Sequence, residues 1–392
     1  MLSDQNIICF SPDPSWHHLW RNRHQIMTRL ARKNRVLFIE PTPYLRPILA
    51  QVRKKGLRTL TERTLFSPME NLWVYRAPNR YPISGKTPLR QATFALRKRH
   101  LRAVMARLGM DASPILWIFR YDLGEMIGHL DEKMVIYHAV DEYAGYATED
   151  ADPQARQRVQ RIMAMERRIL RRADLVFVTS SSLLESKRPW NPNTFLIPNG
   201  VDYDHFAPPP QRLPEDIATL PAPRLGYAGA INEKLDVALL ETLARQRPDW
   251  SLVLVGPVLF KRPEALAGLR ALPNVHFLGR KSLDDLPAYM HSFDVCLMPY
   301  AHNLWTENIS PLKLYEYLAT GRPIVSTGIP AVQDFRDVVW IADNREAFLQ
   351  AVDQALSADT PQDAQRRQAV ARENTWDQRV ATLSSIIQGY LT

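Results

Sequence analysis

Lys313 and Glu316 stand three residues apart behind a Ser310-Pro311 pair, in a run from Asn308 to Thr327 that reads as a polar helix start feeding into a β-strand. Ser310 suits an N-cap and Pro311 the first helical turn, so the backbone N–H groups of Leu312, Lys313 and Leu314 would face outward, unpaired. The positive end of the helix dipole and the charge of Lys313 then converge on one place, which is an anion site. Glu316 follows Leu312 by one turn and sets a carboxylate beside that anion, where a ribose diol could be gripped. Gly321 and Pro323 stop the helix before the apolar pair Ile324-Val325.

Three other polar tips follow apolar runs. Gly229 lies in Gly226-Tyr-Ala-Gly-Ala-Ile-Asn-Glu-Lys234, where it lets the backbone approach a ligand and Lys234 adds a second cation. Val135-Ile-Tyr-His138-Ala-Val-Asp141 breaks from an apolar strand into polar residues. His138 could bond a ligand hydroxyl or be a core histidine satisfied by backbone, and Asp141 could be a base for a hydroxyl or a helix cap. Arg23 and His24, beyond the first apolar run, could bind a phosphate.

The 308–327 segment resembles the nucleotide-sugar site of the group 1 glycosyltransferases, glycosyltransferase family 4. That family carries two glutamates eight residues apart, followed by Ala-x-Gly-x-Pro-Val-Val. Glu316 matches the second glutamate and Ala319-Thr-Gly321-Arg-Pro323-Ile-Val the remainder, while the first glutamate's position holds Asn308, with Glu307 beside it. The resemblance implies diphosphate contacts from Gly229, Lys234, Ser310, Pro311, Leu312 and Lys313, a ribose contact from Glu316, and a base-contacting loop at Gly279-Arg280. Ala230 replaces the arginine of the family's first loop. Ile197-Pro-Asn199-Gly200-Val-Asp202 matches the hallmark that closes the family's first domain.

These residues need parallel strands to carry them. Short apolar runs at 6–10, 36–40, 72–76, 115–119, 134–138, 175–179 and 194–198 alternate with helical stretches, among them 23–32 and 152–173. Six prolines between Phe206 and Arg224 interrupt the pattern, which restarts at 224–228, 251–255, 275–278, 295–299 and 324–326. The expectation is an α/β protein, in the resembling family a GT-B fold of two Rossmann-like domains with parallel sheets facing across a cleft. Its parts would be residues 1–206 for the acceptor, a linker at 207–223, residues 224–375 for the donor, and a terminal helix 376–392 packed back on the first domain.

A length of 392 residues suits two domains, and 45% apolar with 23% charged residues is a globular composition. Cys9 and Cys296 lie far apart in apolar runs and read as reduced core thiols. No Gly-x-Ser-x-Gly elbow, Gly-x-Gly-x-x-Gly fingerprint, Walker loop or metal-ligand cluster occurs, so neither a metal nor another cofactor is expected. The first 110 residues carry 21 Lys and Arg against 5 Asp and Glu. This basic half, with clusters at Arg53-Lys54-Lys55 and Arg97-Lys98-Arg99, fits an anionic membrane face or a solvated surface, and no nucleic-acid motif accompanies it. The start lacks a signal-peptide pattern, and no apolar run reaches about 18 residues, so a cytoplasmic protein at the inner membrane face is expected. The function implied is transfer of a sugar from a nucleotide diphosphate sugar to a glycan or lipid-linked saccharide; a nucleotide-sugar epimerase and a non-catalytic nucleotide-sugar-binding protein are the alternatives.

Overall fold

Runs of four to six apolar residues with no polar alternation are suited to strands covered on both faces, and they form two mainly parallel sheets. The computed structural model of the protein describes residues 1–13, 15–17, 20–42, 44–56, 64–83, 87–142 and 153–391. The chain divides into two compact units, residues 1–197 with 380–392, and residues 198–379.

The first unit holds an eight-stranded sheet, with β1 at Asn6–Phe10, β2 at Arg35–Glu40, β3 at Leu65–Met69, β4 at Leu72–Arg76, β5 at Ile115–Ile118, β6 at Met134–Ala139, β7 at Leu175–Val178 and β8 at Thr194–Leu196. The order is β3-β4-β2-β1-β5-β6-β7-β8, so the chain reverses direction of travel across the sheet between β1 and β5. Ile8 pairs with Leu37 on one side and Leu116 on the other, and all three are fully buried. Only β3 runs antiparallel, joined to β4 through a turn at Glu70-Asn71 in which Asn71 has φ 60°. Its sequence, Leu-Phe-Ser-Pro-Met, shows no strand signal, and Pro68 is tolerated there because β3 is an edge strand.

The second unit holds six strands: β9 at Arg224–Ala228, β10 at Ser251–Val255, β11 at Val275–Gly279, β12 at Val295–Met298, β13 at Ile324–Thr327 and β14 at Trp340–Ala342. Their order is β11-β10-β9-β12-β13-β14, all parallel, with the reversal between β9 and β12. In open α/β sheets ligands gather outside the carboxyl ends of the strands at such a reversal.

This unit begins at Pro198, so the proline-rich stretch expected to be a linker belongs to it. The reason is hydrogen bonding. Val201 bridges Thr375, the Phe206 carbonyl contacts His291 Nε2 at 3.0 Å, and Asp216 takes bonds from Lys281 (2.5 Å) and Tyr289 (2.7 Å).

Helix Leu312–Thr320 is held by its apolar face, with Leu314, Tyr317 and Leu318 buried at helical spacing. Gly321 ends it in the left-handed conformation (φ 75°), which glycine adopts without strain. Arg367, 2% exposed, donates to the Gly321 carbonyl from Nε (3.0 Å) and Nη2 (2.8 Å) and reaches Asp359 (2.7 Å). Arg367→Met leaves that carbonyl and carboxylate without their donor, and should cost about 3 kcal/mol in chemical denaturation. Unchanged stability would show that water replaces the guanidinium there.

Candidate functional site

Lys313, in the first turn of helix Leu312–Thr320, reaches back to the carboxyl ends of β9 and β12. Its Nζ lies 4.9 Å from the centre of the Tyr227 ring and 5.8 Å from that of Tyr300. Tyr227 is the penultimate residue of β9, and Tyr300 follows β12, so the ammonium sits at the strand reversal. Burial works against the charge, but Tyr227, Tyr300 and Glu316 outweigh it and hold the ammonium protonated well above the ordinary lysine range. The helix is tied to the same strand end by Tyr317, whose hydroxyl accepts from the Ala228 N–H at 2.7 Å.

Two glycines make the space. Gly229 has φ 150°, and a Cβ there would fall 2.8 Å from Lys313 Cε and Nζ. Gly256, just beyond β10, has φ 147°, and its Cβ would fall 1.9 Å from the Gly229 carbonyl oxygen. Both φ values are strained for a residue with a side chain, and at Gly256 the clash is with rigid backbone. The strand-end turns are linked in series, Gly229 N–H to the Val255 carbonyl and Gly256 N–H to the Gly279 carbonyl, each at 2.8 Å. Gly279 and Arg280 complete the row as exposed residues.

Lys234 belongs to the same assembly. Its Nζ lies 4.4 Å from the centre of the Trp305 ring, a cation–π contact, and its carbonyl accepts from the Ala301 N–H next to Tyr300. Tyr227 closes the loop by donating its hydroxyl to the Ala230 carbonyl at 3.0 Å. Both lysines therefore rest on aromatic rings at one end of one sheet.

Glu316 is partly buried, and burial pushes its carboxyl up to about 7 against the opposing pull of Lys313 and His205. Near neutral pH it can accept hydrogen bonds as a carboxylate or donate one as an acid.

The helix start differs from the expectation in one respect. Pro311, not Ser310, occupies the N-cap position, and no side chain caps the helix. Ser310 is occupied elsewhere: its hydroxyl accepts from the Asn199 N–H (3.3 Å) and its carbonyl from Asn199 Nδ2 (2.6 Å). Leu314 N–H turns inward to the Pro311 carbonyl, so Leu312 and Lys313 supply the open amides. Asn308 is 8% exposed and spends its amide on the Leu304 carbonyl (2.8 Å), whereas Glu307 is exposed.

In the first unit the expected residues divide. His138, in β6, is 1% exposed, stacked on Phe119 with ring centres 5.0 Å apart, and neither ring nitrogen has a hydrogen bond among the described residues. Burial and Arg23 push its pKa to about 3, so it is neutral. It is neither at an open polar tip nor satisfied by backbone. Asp141 lies just beyond β6, partly buried. Arg23 donates to Asp13 from Nε and from Nη2 (2.8 Å), so its charge is matched within the protein, and burial lowers His24 to about 4. A phosphate at Arg23 would have to displace Asp13. Cys9 and Cys296 are both free and buried.

Sequence reasoning missed Tyr227, Tyr300, Trp305 and Gly256. An aromatic residue or a Gly-Pro pair at the end of an apolar run was the available signal, but it is shared by ordinary core positions.

Residues 222–358 match the family described as "Glycosyl transferases group 1". A Bacillus subtilis (strain 168) protein named as a teichuronic acid biosynthesis glycosyltransferase, TuaH, is 31% identical over 202 residues, a match spanning 50% of this chain and 51% of that relative. Among solved structures, sucrose-phosphate synthase from Thermosynechococcus elongatus superposes with TM-score 0.73 at 18% identity, covering 99% of each chain. Anabaena HepE in complex with UDP gives 0.67 at 14%, covering 98% of this chain and 100% of that one. WaaG, a glycosyltransferase involved in lipopolysaccharide biosynthesis, gives 0.64 at 16%, with the same coverage. The fold is GT-B.

The raised Glu316 pKa has a measurable sign. The folded protein binds a proton at Glu316 up to about 7 that the unfolded chain releases near 4.5, so this group's contribution to stability is present below 4.5 and is lost as pH rises through 7. Glu316→Gln should therefore raise Tm at pH 8 relative to the wild type and change it little at pH 4.5. An equal shift at both pH values would contradict the burial of this carboxyl.

Proposed function

We propose that this chain, a group 1 glycosyltransferase through residues 222–358, transfers a sugar from a nucleotide diphosphate sugar to a hydroxyl of a glycan or lipid-linked saccharide in surface polysaccharide biosynthesis. The observation that carries this reading is the ammonium of Lys313, held at a strand reversal beside an uncapped helix start. Such a cation has no carboxylate salt bridge among the described residues and suits a dianionic leaving group. The relatives' names agree with it, since HepE has been solved with UDP-glucose and WaaG and TuaH are named for polymer biosynthesis.

In this mechanism the amides of Leu312 and Lys313, with the Lys313 and Lys234 ammonium groups, bind the diphosphate, and the Gly229 backbone lies close against it. The bond between the anomeric carbon and the diphosphate oxygen breaks with its electron pair going to the nucleotide. The acceptor oxygen bonds to that carbon and passes its proton to the departing diphosphate oxygen. Positive charge fixed in advance around the departing diphosphate stabilises the transition state more than the bound donor. Glu316 as carboxylate accepts from the ribose hydroxyls. Diphosphate charge is met by lysines and amides, so no metal is invoked.

The first unit supplies the acceptor side, and its basic surface is suited to an anionic membrane. Helix Leu45–Lys55 exposes Leu49, Arg53 and Lys54, with Tyr44 exposed just ahead of it. Apolar and cationic side chains together on one surface helix are the composition of an interfacial segment. No helix among the described residues is long and apolar enough to cross a membrane.

Purified protein offered a panel of nucleotide sugars should release one nucleoside diphosphate slowly, and faster with a matching acceptor. Lys313→Ala should lower that rate by about a hundredfold or more, the scale of losing one principal charge contact in a transition state, and EDTA should leave it unchanged. No release with any donor overturns the enzymatic reading. Affinity for the nucleotide should rise between pH 6 and pH 8 as Glu316 ionises, and Glu316→Gln should flatten that profile while weakening binding. Charge reversal at Arg53, Lys54 and Lys55 should abolish sedimentation with anionic vesicles; unaltered sedimentation removes the membrane contact.

A further inference from the structure

Outside the carboxyl ends of β1, β2 and β4, at the strand reversal of the first unit, lies a narrow slot of about 90 Å³. Its walls are chiefly apolar: Phe10, Ile39, Ala77, Phe94, Leu101 and Met126. Phe94, Arg97 and Leu101 project from one face of helix Thr87–Arg107, at positions i, i+3 and i+7. The basic cluster Arg97-Lys98-Arg99 is thereby split. Arg99 is exposed, but Arg97 is 6% exposed and lines the slot.

The charges around this slot do not cancel. Three carboxylates line it, and each has a cation or donor of its own: Glu40 faces Arg76 and takes the Trp16 N–H (2.7 Å), Asp122 pairs with Arg120, and Glu125 pairs with Arg90. Arg97 is left over. One bond, from Nη1 to the Pro82 carbonyl at 3.0 Å, is the hydrogen bond recorded for its guanidinium, and no carboxylate lies within ion-pair distance among the described residues. Phe94 sits 6.0 Å away. A guanidinium has five donors, and one buried without a counter-ion is destabilising unless something else supplies the charge. Evolution toward stability alone would replace it with an apolar residue of similar volume.

We propose that this slot holds an acceptor whose saccharide is carried on an apolar chain through a phosphate or diphosphate, Arg97 pairing with the anion and the slot enclosing the first carbons of the chain. The inference rests on the glycosyltransferase reading and narrows it, selecting a lipid-phosphate-linked acceptor over a free glycan. A simple anion site would not need walls of Phe10, Phe94 and Met126. A simple apolar slot would not keep Arg97.

The test is calorimetric titration of the full chain, with nucleoside diphosphate (UDP, GDP and ADP in turn) present in excess to block the second unit. Farnesyl diphosphate should bind at least tenfold more tightly than farnesol or inorganic diphosphate. Arg97→Gln should lose at least tenfold in that affinity while its Tm stays level or rises, since an unpaired buried charge has been removed. Ala77→Leu, which fills the slot without touching the charge, should lose it equally. Both variants should bind the nucleotide like the wild type. Equal binding of inorganic diphosphate would make this a plain anion site, and equal binding of farnesol a plain apolar one; either overturns the proposal. So does full retention by Arg97→Gln, or attachment to anionic vesicles with no affinity for farnesyl diphosphate. Nucleotide binding without farnesyl diphosphate binding sinks this inference and leaves the proposed donor chemistry standing.

Discussion

The ammonium of Lys313 at the end of a parallel sheet is the constraint around which the second unit is built. A cation there must be kept charged without a carboxylate that would neutralise it, because a salt bridge would spend the charge internally. Two aromatic faces meet that requirement: Tyr227 and Tyr300 attract the ammonium through their rings and leave its hydrogen-bond donors uncommitted to an anion. The geometry then propagates outward. Gly229 and Gly256 take φ values of 150° and 147° that residues with side chains rarely adopt, and a Cβ at Gly256 would also run into the Gly229 carbonyl. Tyr317, bonded to the Ala228 N–H, and Arg367, bonded to the Gly321 carbonyl, fix the helix that delivers the lysine.

The first unit uses charge in the opposite way through most of its volume. Arg23 is matched by Asp13, and Lys187 is bonded to both Glu142 and Glu166 at 2.7 Å. Buried ions paired this closely fix side-chain positions but add little binding capacity. Against that background Arg97 and Lys313 are exceptions: each is a cation at a strand reversal with no carboxylate salt bridge among the described residues. Each unit thus sets such a cation at the place where its sheet topology opens a crevice.

Much of this was legible from residues alone. The strands announced themselves because both faces are covered, so Ile-Ile-Cys-Phe at β1 or Val-Cys-Leu-Met at β12 reads as an unbroken apolar run. The helix 312–320 was legible because its stop signals, Gly321 and Pro323, act through local backbone geometry. What could not be read was decided by contacts distant in sequence. Ser310 looks like an N-cap and is instead bonded to Asn199, 111 residues away. The segment 207–223 has the composition of a linker, yet Asp216 is bonded by Lys281 and Tyr289. His138 has the local pattern of a strand tip, and only the assembled sheet shows Trp117, Phe119 and Phe177 packed around it. Arg97 sits in a run of three basic residues, and only the turn of its helix decides which of them is buried.

Lys313 and Glu316 are also coupled to one another, and the coupling bears on how a nucleotide would be sensed. Each favours the charged form of the other, yet burial leaves Glu316 near neutrality at about 7. A diphosphate arriving at Lys313 adds negative charge beside Glu316 and screens the lysine, which would push that carboxyl further toward its protonated form. A ribose diol donating to Glu316 does the reverse, because hydrogen bonds to a carboxylate stabilise its ionised state. An inorganic diphosphate therefore meets only the first effect and should take up a proton as it binds, whereas a nucleotide satisfies both groups at once. Under the proposed function the two halves of the ligand would be read by one coupled pair, and a nucleotide would be distinguished from free diphosphate by their opposite effects on a single proton.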